Sequence, residues 1–276
     1  MVSARRLGSL AMLAAAIITG GAAGCDPSPG PSPSAGCALP TTPAGTAGQP
    51  AAAPGGGALR VTEKGFSQVG TGATTVSLGA EVENTSTQVA YRARVTFSYV
   101  DAQGKSAVPA GSTGLNLEIP MILPGQKIPV GARSYVVKTA SGASAQVAAV
   151  TVELGTVTWA TADAAVFKKV TTSPRGIQRS GVNGASGTVA YTMQWPYCRA
   201  LTSRGVAMVF RGQSGAIVGG SFDLTGTPQA CASGDSTRQA VVTQSLPAVL
   251  QEDKTEVYPY CDLAAASATG SGAPVN

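Results

Sequence analysis

The sequence predicts an all-β protein: two tandem β-sandwiches behind an N-terminal signal segment and a disordered, Pro/Gly-rich stalk. Composition is the first reason. The 276 residues include 35 glycines and 18 prolines and only 12% charged side chains, which favours strands and turns over charge-patterned helices. Periodicity is the second, because apolar residues alternate at a period of two in one run after another. The third is repetition: the same succession of strands and turns returns after roughly 110 residues.

At the N-terminus Arg5 and Arg6 precede a mostly apolar run from Leu7 to Ile18, then small residues as far as Gly24, then Cys25. A basic end, a short apolar core and a small-residue cleavage zone make a secretory signal. With the cysteine directly behind it, the segment resembles a bacterial lipoprotein signal, in which that cysteine is lipidated and becomes the mature N-terminus. The expected organisation is signal peptide 1–24, lipidated Cys25 and disordered linker 25–57, first sandwich 58–161, second sandwich 162–262 and disordered tail 263–276. The linker holds eight prolines and seven glycines between Asp26 and Gly57, with Asp26 its only charge, so it has little to bury against its ordering entropy. Loss of Arg5 and Arg6 with the signal lowers the net charge from +5 to +3, too small an excess to argue for nucleic acid.

In the first sandwich Val76 to Val82 alternates and stops at the turn cluster Asn84-Thr-Ser-Thr. Tyr91 to Asp101 is the strongest strand signal. Tyr91, Ala93, Val95, Phe97 and Tyr99 share one face, and Arg92, Arg94, Thr96 and Ser98 the other, as a half-buried antiparallel strand requires. Ala102 to Lys105 reads as a tight turn around Gly104. Leu115–Leu123, the turn Pro124-Gly125, Ile128–Val137 and Val147–Trp159 follow. The second sandwich replays the order with Ser186–Trp195, Arg204–Arg211, a turn at Gln213–Ala216, Ile217–Leu224, Arg238–Ser245 and Lys254–Cys261.

Phe97-Ser-Tyr-Val-Asp101, then Gly104, then Leu123-Pro-Gly125 make the first half similar to an FxLYD-type domain. Met208-Val-Phe-Arg-Gly212 and Gly215 carry the likeness in the second half, without the aspartate. The resemblance covers about residues 58–262. It implies an immunoglobulin-like sandwich of the kind found in bacterial surface and lipid-anchored proteins, and no chemistry. The residues explain themselves beside it: Phe97 and Tyr99 as core, Asp101 as a turn cap.

Beyond Cys25 four cysteines remain, Cys37, Cys198, Cys231 and Cys261. An exported chain with an even count points to disulfides. Strand alternation brings Cys198, Cys231 and Cys261 to one pole of the second sandwich. The preferred pair is Cys198–Cys261, from the matching contexts Trp195-Pro-Tyr-Cys and Tyr258-Pro-Tyr-Cys. Cys198–Cys231 is the alternative, and the remaining cysteine could reach Cys37. No CxxC spacing accompanies them, which argues against a metal site.

The chain has no histidine, which removes the Ser-His-Asp and Cys-His arrangements. No nucleotide-binding glycine motif occurs, and carboxylates such as Glu81, Glu83, Asp101, Asp163, Glu252 and Asp253 are scattered and read as surface. No catalytic residue, cofactor or metal is expected. Trp195, Tyr197, Tyr258 and Tyr260, beside the cysteine pole, are the candidate contact surface for an envelope protein or glycan. Their alternative role is to pack the pole dry. The expected function is a non-catalytic binding or adaptor module held at the extracytoplasmic face of the membrane. A structural spacer, or an accessory subunit of an exported enzyme or transporter, are the alternatives.

Overall fold

The computed structural model describes residues 39, 48–112, 115–163, 166–225 and 227–265. The expected signal segment, the lipidation site Cys25, and Cys37 lie outside them. The first half contains β1 (Leu59–Val69), β2 (Thr75–Asn84), β3 (Gln88–Asp101), β4 (Asn116–Ile122), β5 (Lys127–Tyr135), β6 (Val147–Leu154) and β7 (Thr158–Thr161). The second contains β8 (Thr171–Ser180), β9 (Ser186–Gln194), β10 (Leu201–Arg211), β11 (Ile217–Asp223), the helical turn α1 (Thr227–Ala230), β12 (Ser236–Val242) and β13 (Gln251–Ala265). Every strand pairing among them is antiparallel.

The connectivity repeats. Sheets β1-β2-β5 and β4-β3-β6, with β7 also on β3, make the first half; sheets β8-β9-β12 and β11-β10-β13 make the second. Even the link from the first to the second strand is duplicated: Gly70 (φ 82°) and Gly181 (φ 73°) turn the chain through the left-handed region at matching points, where a side chain would strain the backbone.

In each half the alternating apolar side chains meet between the two sheets. Val76, Leu78, Ala80 and Val82 of β2 and Ile128, Val130 and Ala132 of β5 pack on Val95, Phe97 and Tyr99 of β3. Val189, Tyr191 and Met193 of β9 pack on Val206, Met208 and Phe210 of β10.

The halves are not merely strung together. The back of β1-β2-β5 lies on the back of β11-β10-β13, and glycine makes the approach close. A Cβ added at Gly79 would stand 2.3 Å from the Gly219 carbonyl oxygen, and one at Gly131 would stand 2.2 Å from that of Met208. Within this seam the Ser77 hydroxyl donates to the Gly220 carbonyl (3.0 Å) and accepts from its N–H (2.9 Å), so the polar backbone of a buried strand is satisfied across the halves.

The structure differs from the sequence reading in four respects. β1 and β8 were not expected, because Thr62, Glu63 and Lys64 in one and Pro174, Arg175 and Gly176 in the other break the apolar alternation. Residues 48–57, expected in the disordered linker, are docked: Gln49 and Val157 exchange backbone hydrogen bonds of 3.1 and 2.9 Å, and Trp159 Nε1 donates to the Pro50 carbonyl at 3.1 Å. At the other end β13 carries buried Leu263, so the folded chain runs past residue 262. The single strand expected over Val147–Trp159 is two, because Gly155 leaves the ladder to bond Arg94.

Candidate functional site

The four aromatics expected to form a contact surface do not gather on one. Trp195 and Tyr197 are buried in the second core and meet edge to face with centroids 5.6 Å apart. The Trp195 indole N–H donates to the Arg199 carbonyl at 2.9 Å, and the Tyr197 hydroxyl donates to the Lys168 carbonyl at 3.0 Å. Tyr258 and Tyr260, two apart on β13, turn the other way, toward the first half. Tyr260 is fully buried and donates to the Pro129 carbonyl at 3.0 Å, while half-buried Tyr258 accepts from Gln126 Nε2 at 3.1 Å. Each polar tip faces protein, so the group supplies packing and no exposed platform.

The preferred cysteine pair is likewise corrected. Cys261 bonds Cys231, with Cα atoms 5.7 Å apart, and Cys198 is disulfide-bonded as well. Strand parity explains the choice. Cys261 lies on the face of β13 opposite Tyr258 and Tyr260, against buried Cys231 behind α1. Similar flanking residues did not identify the partner.

Charged groups concentrate where the halves meet. Arg211 reaches Glu63 (2.5 Å), Glu256 (2.5 Å) and Glu81 (3.6 Å), and Lys127 pairs with Glu81 at 2.9 Å. Glu81 is therefore part of the seam and not the surface residue the sequence suggested. Burial alone would raise its carboxyl, but hydrogen bonds from Thr62 and Lys127 and the Lys127 and Arg211 charges hold it below the usual range.

A second cluster surrounds buried Asp262, which accepts from the Tyr91 hydroxyl (2.6 Å) and from Arg204 (2.7 Å). Arg92, expected as a plain exterior arginine, sits at φ 51° and approaches Asp262 at 3.4 Å and Glu118 at 3.9 Å. Burial would raise the Asp262 carboxyl, yet these donors and the Arg204 and Arg92 charges leave it depressed. Both clusters are internally compensated.

A third location is not. Behind the Cys231–Cys261 bond a cleft of about 620 Å³ opens between β12 and the segment around α1. Tyr191, Ser236, Thr237, Arg238 and Gln239 line one side, and Thr225, Gln229 and Ala230 the other. Tyr191 on β9 and Arg238 on β12 are cross-strand partners and so share the inward face. The Tyr191 hydroxyl and Arg238 Nε are buried without a hydrogen-bond partner. Arg238 Nη2 donates to the Ala232 and Gly234 carbonyls at 2.9 and 3.3 Å, and among the described residues no carboxylate forms an ion pair with it. Burial pushes the Tyr191 hydroxyl up to about 12, so it is a neutral donor, and burial lowers Arg238.

Sequence reasoning missed this site, because Arg238 and Tyr191 looked like ordinary strand residues. The available signal was the internal repeat. Registers place Tyr191 where the first half has Ala80, and Arg238 where it has Val130, both fully buried. No protein-family model matches the chain, and no curated protein or solved structure matches it.

Proposed function

We propose that the protein is an exported lipoprotein, anchored through lipid on Cys25, whose two immunoglobulin-like sandwiches of FxLYD type act as a non-catalytic binding or adaptor module at the cell envelope. The observation that carries the binding reading is the uncompensated Tyr191–Arg238 pair in its cleft. A buried guanidinium Nε and a buried hydroxyl without partners cost stability, and the first half fills the same two positions with alanine and valine at no such cost. A ligand that accepts from both offsets that cost. In the same reading Cys198 bonds Cys37, tying the stalk to the second half.

A spacer or envelope-organising role is the second reading, favoured by Trp195, Tyr197, Tyr258 and Tyr260, whose polar tips all face protein. An accessory subunit of an exported enzyme or transport system would use the same cleft toward its partner.

Chemical crosslinking on intact cells followed by mass spectrometry compares wild type with the Tyr191→Phe/Arg238→Gln variant. A specific partner lost from the folded variant supports the adaptor; diffuse crosslinks identical in both leave the spacer. Cys25→Ser is expected to release the chain from the membrane fraction, and retention there defeats lipid anchoring.

A further inference from the structure

β12 forms an outer edge of its sheet, whose order is β12-β9-β8. Antiparallel strands turn their N–H and C=O groups alternately toward and away from a given neighbour. Val241 shows which set faces out: its N–H donates to Asp223 Oδ2 at 2.7 Å, not to β9. By alternation the N–H and C=O of Thr237 and Gln239 also point away from β9. Among the described residues no strand covers them, and both side chains are exposed.

Two other edges are blunted. β8 carries Pro174, a register shift beside it, and Arg175 and Arg179; β1 carries Arg60, Glu63 and Lys64 with a shift at Val61/Glu63. The outward residues of β12 are neutral and unbulged, the condition in which an edge accepts another strand. That free edge is one wall of the cleft, and the space between it and the far wall is where an added strand would lie.

Charge specifies what the strand brings. Between the two free backbone positions Arg238 lines the cleft beside Tyr191, and the Arg238 Nε and the Tyr191 hydroxyl have no partner among the described residues. Asp223, at the end of β11, is engaged by Thr225 and Val241. Both unpartnered groups donate, and one is cationic; a carboxylate accepts from both.

We propose that the cleft binds an extended peptide segment, which adds as a strand to the Thr237–Gln239 edge of β12 and places a carboxylate side chain on Arg238 and Tyr191. This rests on the binding-module reading and names its ligand class and mode. Main-chain hydrogen bonds supply the affinity and the buried donors the selectivity. Glu and Asp peptides share the chemistry; a small anion alone lacks the strand.

The test uses hydrogen–deuterium exchange across residues 236–242 of the purified, detergent-solubilised mature protein, with four millimolar probes. These are a blocked threonine/valine pentapeptide with central aspartate, its asparagine analogue, the aspartate peptide N-methylated at alternate residues, and sodium acetate. Saturable protection is expected with the aspartate peptide, about tenfold weaker half-saturation with asparagine, as for loss of a charge-assisted pair, and none with the N-methylated peptide or acetate. Arg238→Gln should make the first two peptides equivalent. Gln239→Pro, which removes an outward N–H and leaves the ladder to β9 intact, should abolish protection, and the N-methylated peptide tests the same bond without altering the protein.

Absence of protection by any peptide overturns the proposal. So does protection by acetate equal to that by peptide, or equal binding of the N-methylated peptide. Equal binding of aspartate and asparagine peptides by wild type overturns the carboxylate assignment. Because the assay needs no cellular partner, failure here alongside a Tyr191/Arg238-dependent crosslink on cells removes the strand-addition mode and leaves the binding module standing.

Discussion

The two halves share one connectivity but use equivalent sheets for opposite purposes. In the first half β1-β2-β5 is an inner layer, covered on both sides; in the second its counterpart β8-β9-β12 is an outer one. The difference is written in matched pairs. The cross-strand pair Gly79–Gly131 lies in the seam, and its counterpart Ala190–Gln239 lies on the outer face. On the inward face Ala80–Val130 becomes Tyr191–Arg238. Removing side chains from one surface lets two backbones approach; adding polar ones to the other leaves a surface open to a ligand. The same scaffold thus yields an adhesive sheet and a receptive one from a handful of substitutions.

The largest way to disturb this division is to cut the staple that the second half carries. Replacing Cys231 and Cys261 with alanine should lower unfolding stability by about 3–4 kcal/mol in the loop-entropy treatment of a separation of 30 residues, read by urea denaturation. A loss below about 1 kcal/mol would mean that packing alone holds that half.

Next is the seam itself. Gly131→Ala should cost about 3 kcal/mol, the upper part of the overpacking range, because rigid backbone of Met208 and Ser221 stands within 2.6 Å of the new methyl. The matched Gln239→Ala on the outer sheet should stay within about 0.5 kcal/mol. Equal effects at the two positions would dissolve the distinction between inner and outer sheets.

Arg211→Met should cost about 2 kcal/mol, since it leaves Glu63, Glu81 and Glu256 facing one another with partial solvent screening. Smallest is Asp262→Asn, about 1 kcal/mol at neutral pH, because the amide keeps an acceptor for Tyr91. Its pH dependence tells more. A carboxyl depressed in the folded state contributes stability above its unfolded value, near 4, and loses it as pH falls through the lower folded value. Wild type should therefore weaken progressively below about pH 4, and Asp262→Asn should show a shallower acid limb. Parallel limbs would assign the acid sensitivity to Glu81 instead.

Much of the architecture was legible from residues alone. Period-two alternation located β2, β3, β5, β9 and β10, because a strand with one wet face must alternate. The Asp101 turn cap was legible too: its carboxylate accepts from the Gln103 and Lys105 N–H groups at 3.0 and 2.9 Å. β1 and β8 were not, since their pairing is supplied by neighbours and their own sequences carry bulges. The seam escaped because a glycine in a strand signals either a bulge or a close approach, and only the partner sheet decides which. The pair Tyr191–Arg238 escaped for a related reason. A lone arginine in a strand looks solvated until the register shows that it faces inward.

The seam joins a back sheet of one half to the unlike sheet of the other, a heterologous contact that does not close on itself. A face that refuses a further layer must therefore do so chemically. The outer strands do so: Arg92, Arg94, Ser98 and Glu118 on β3 and β4 and Thr237 and Gln239 on β12 carry longer side chains, Gln239 where the seam has Gly131. Side chains of that length keep a further sheet beyond backbone distance.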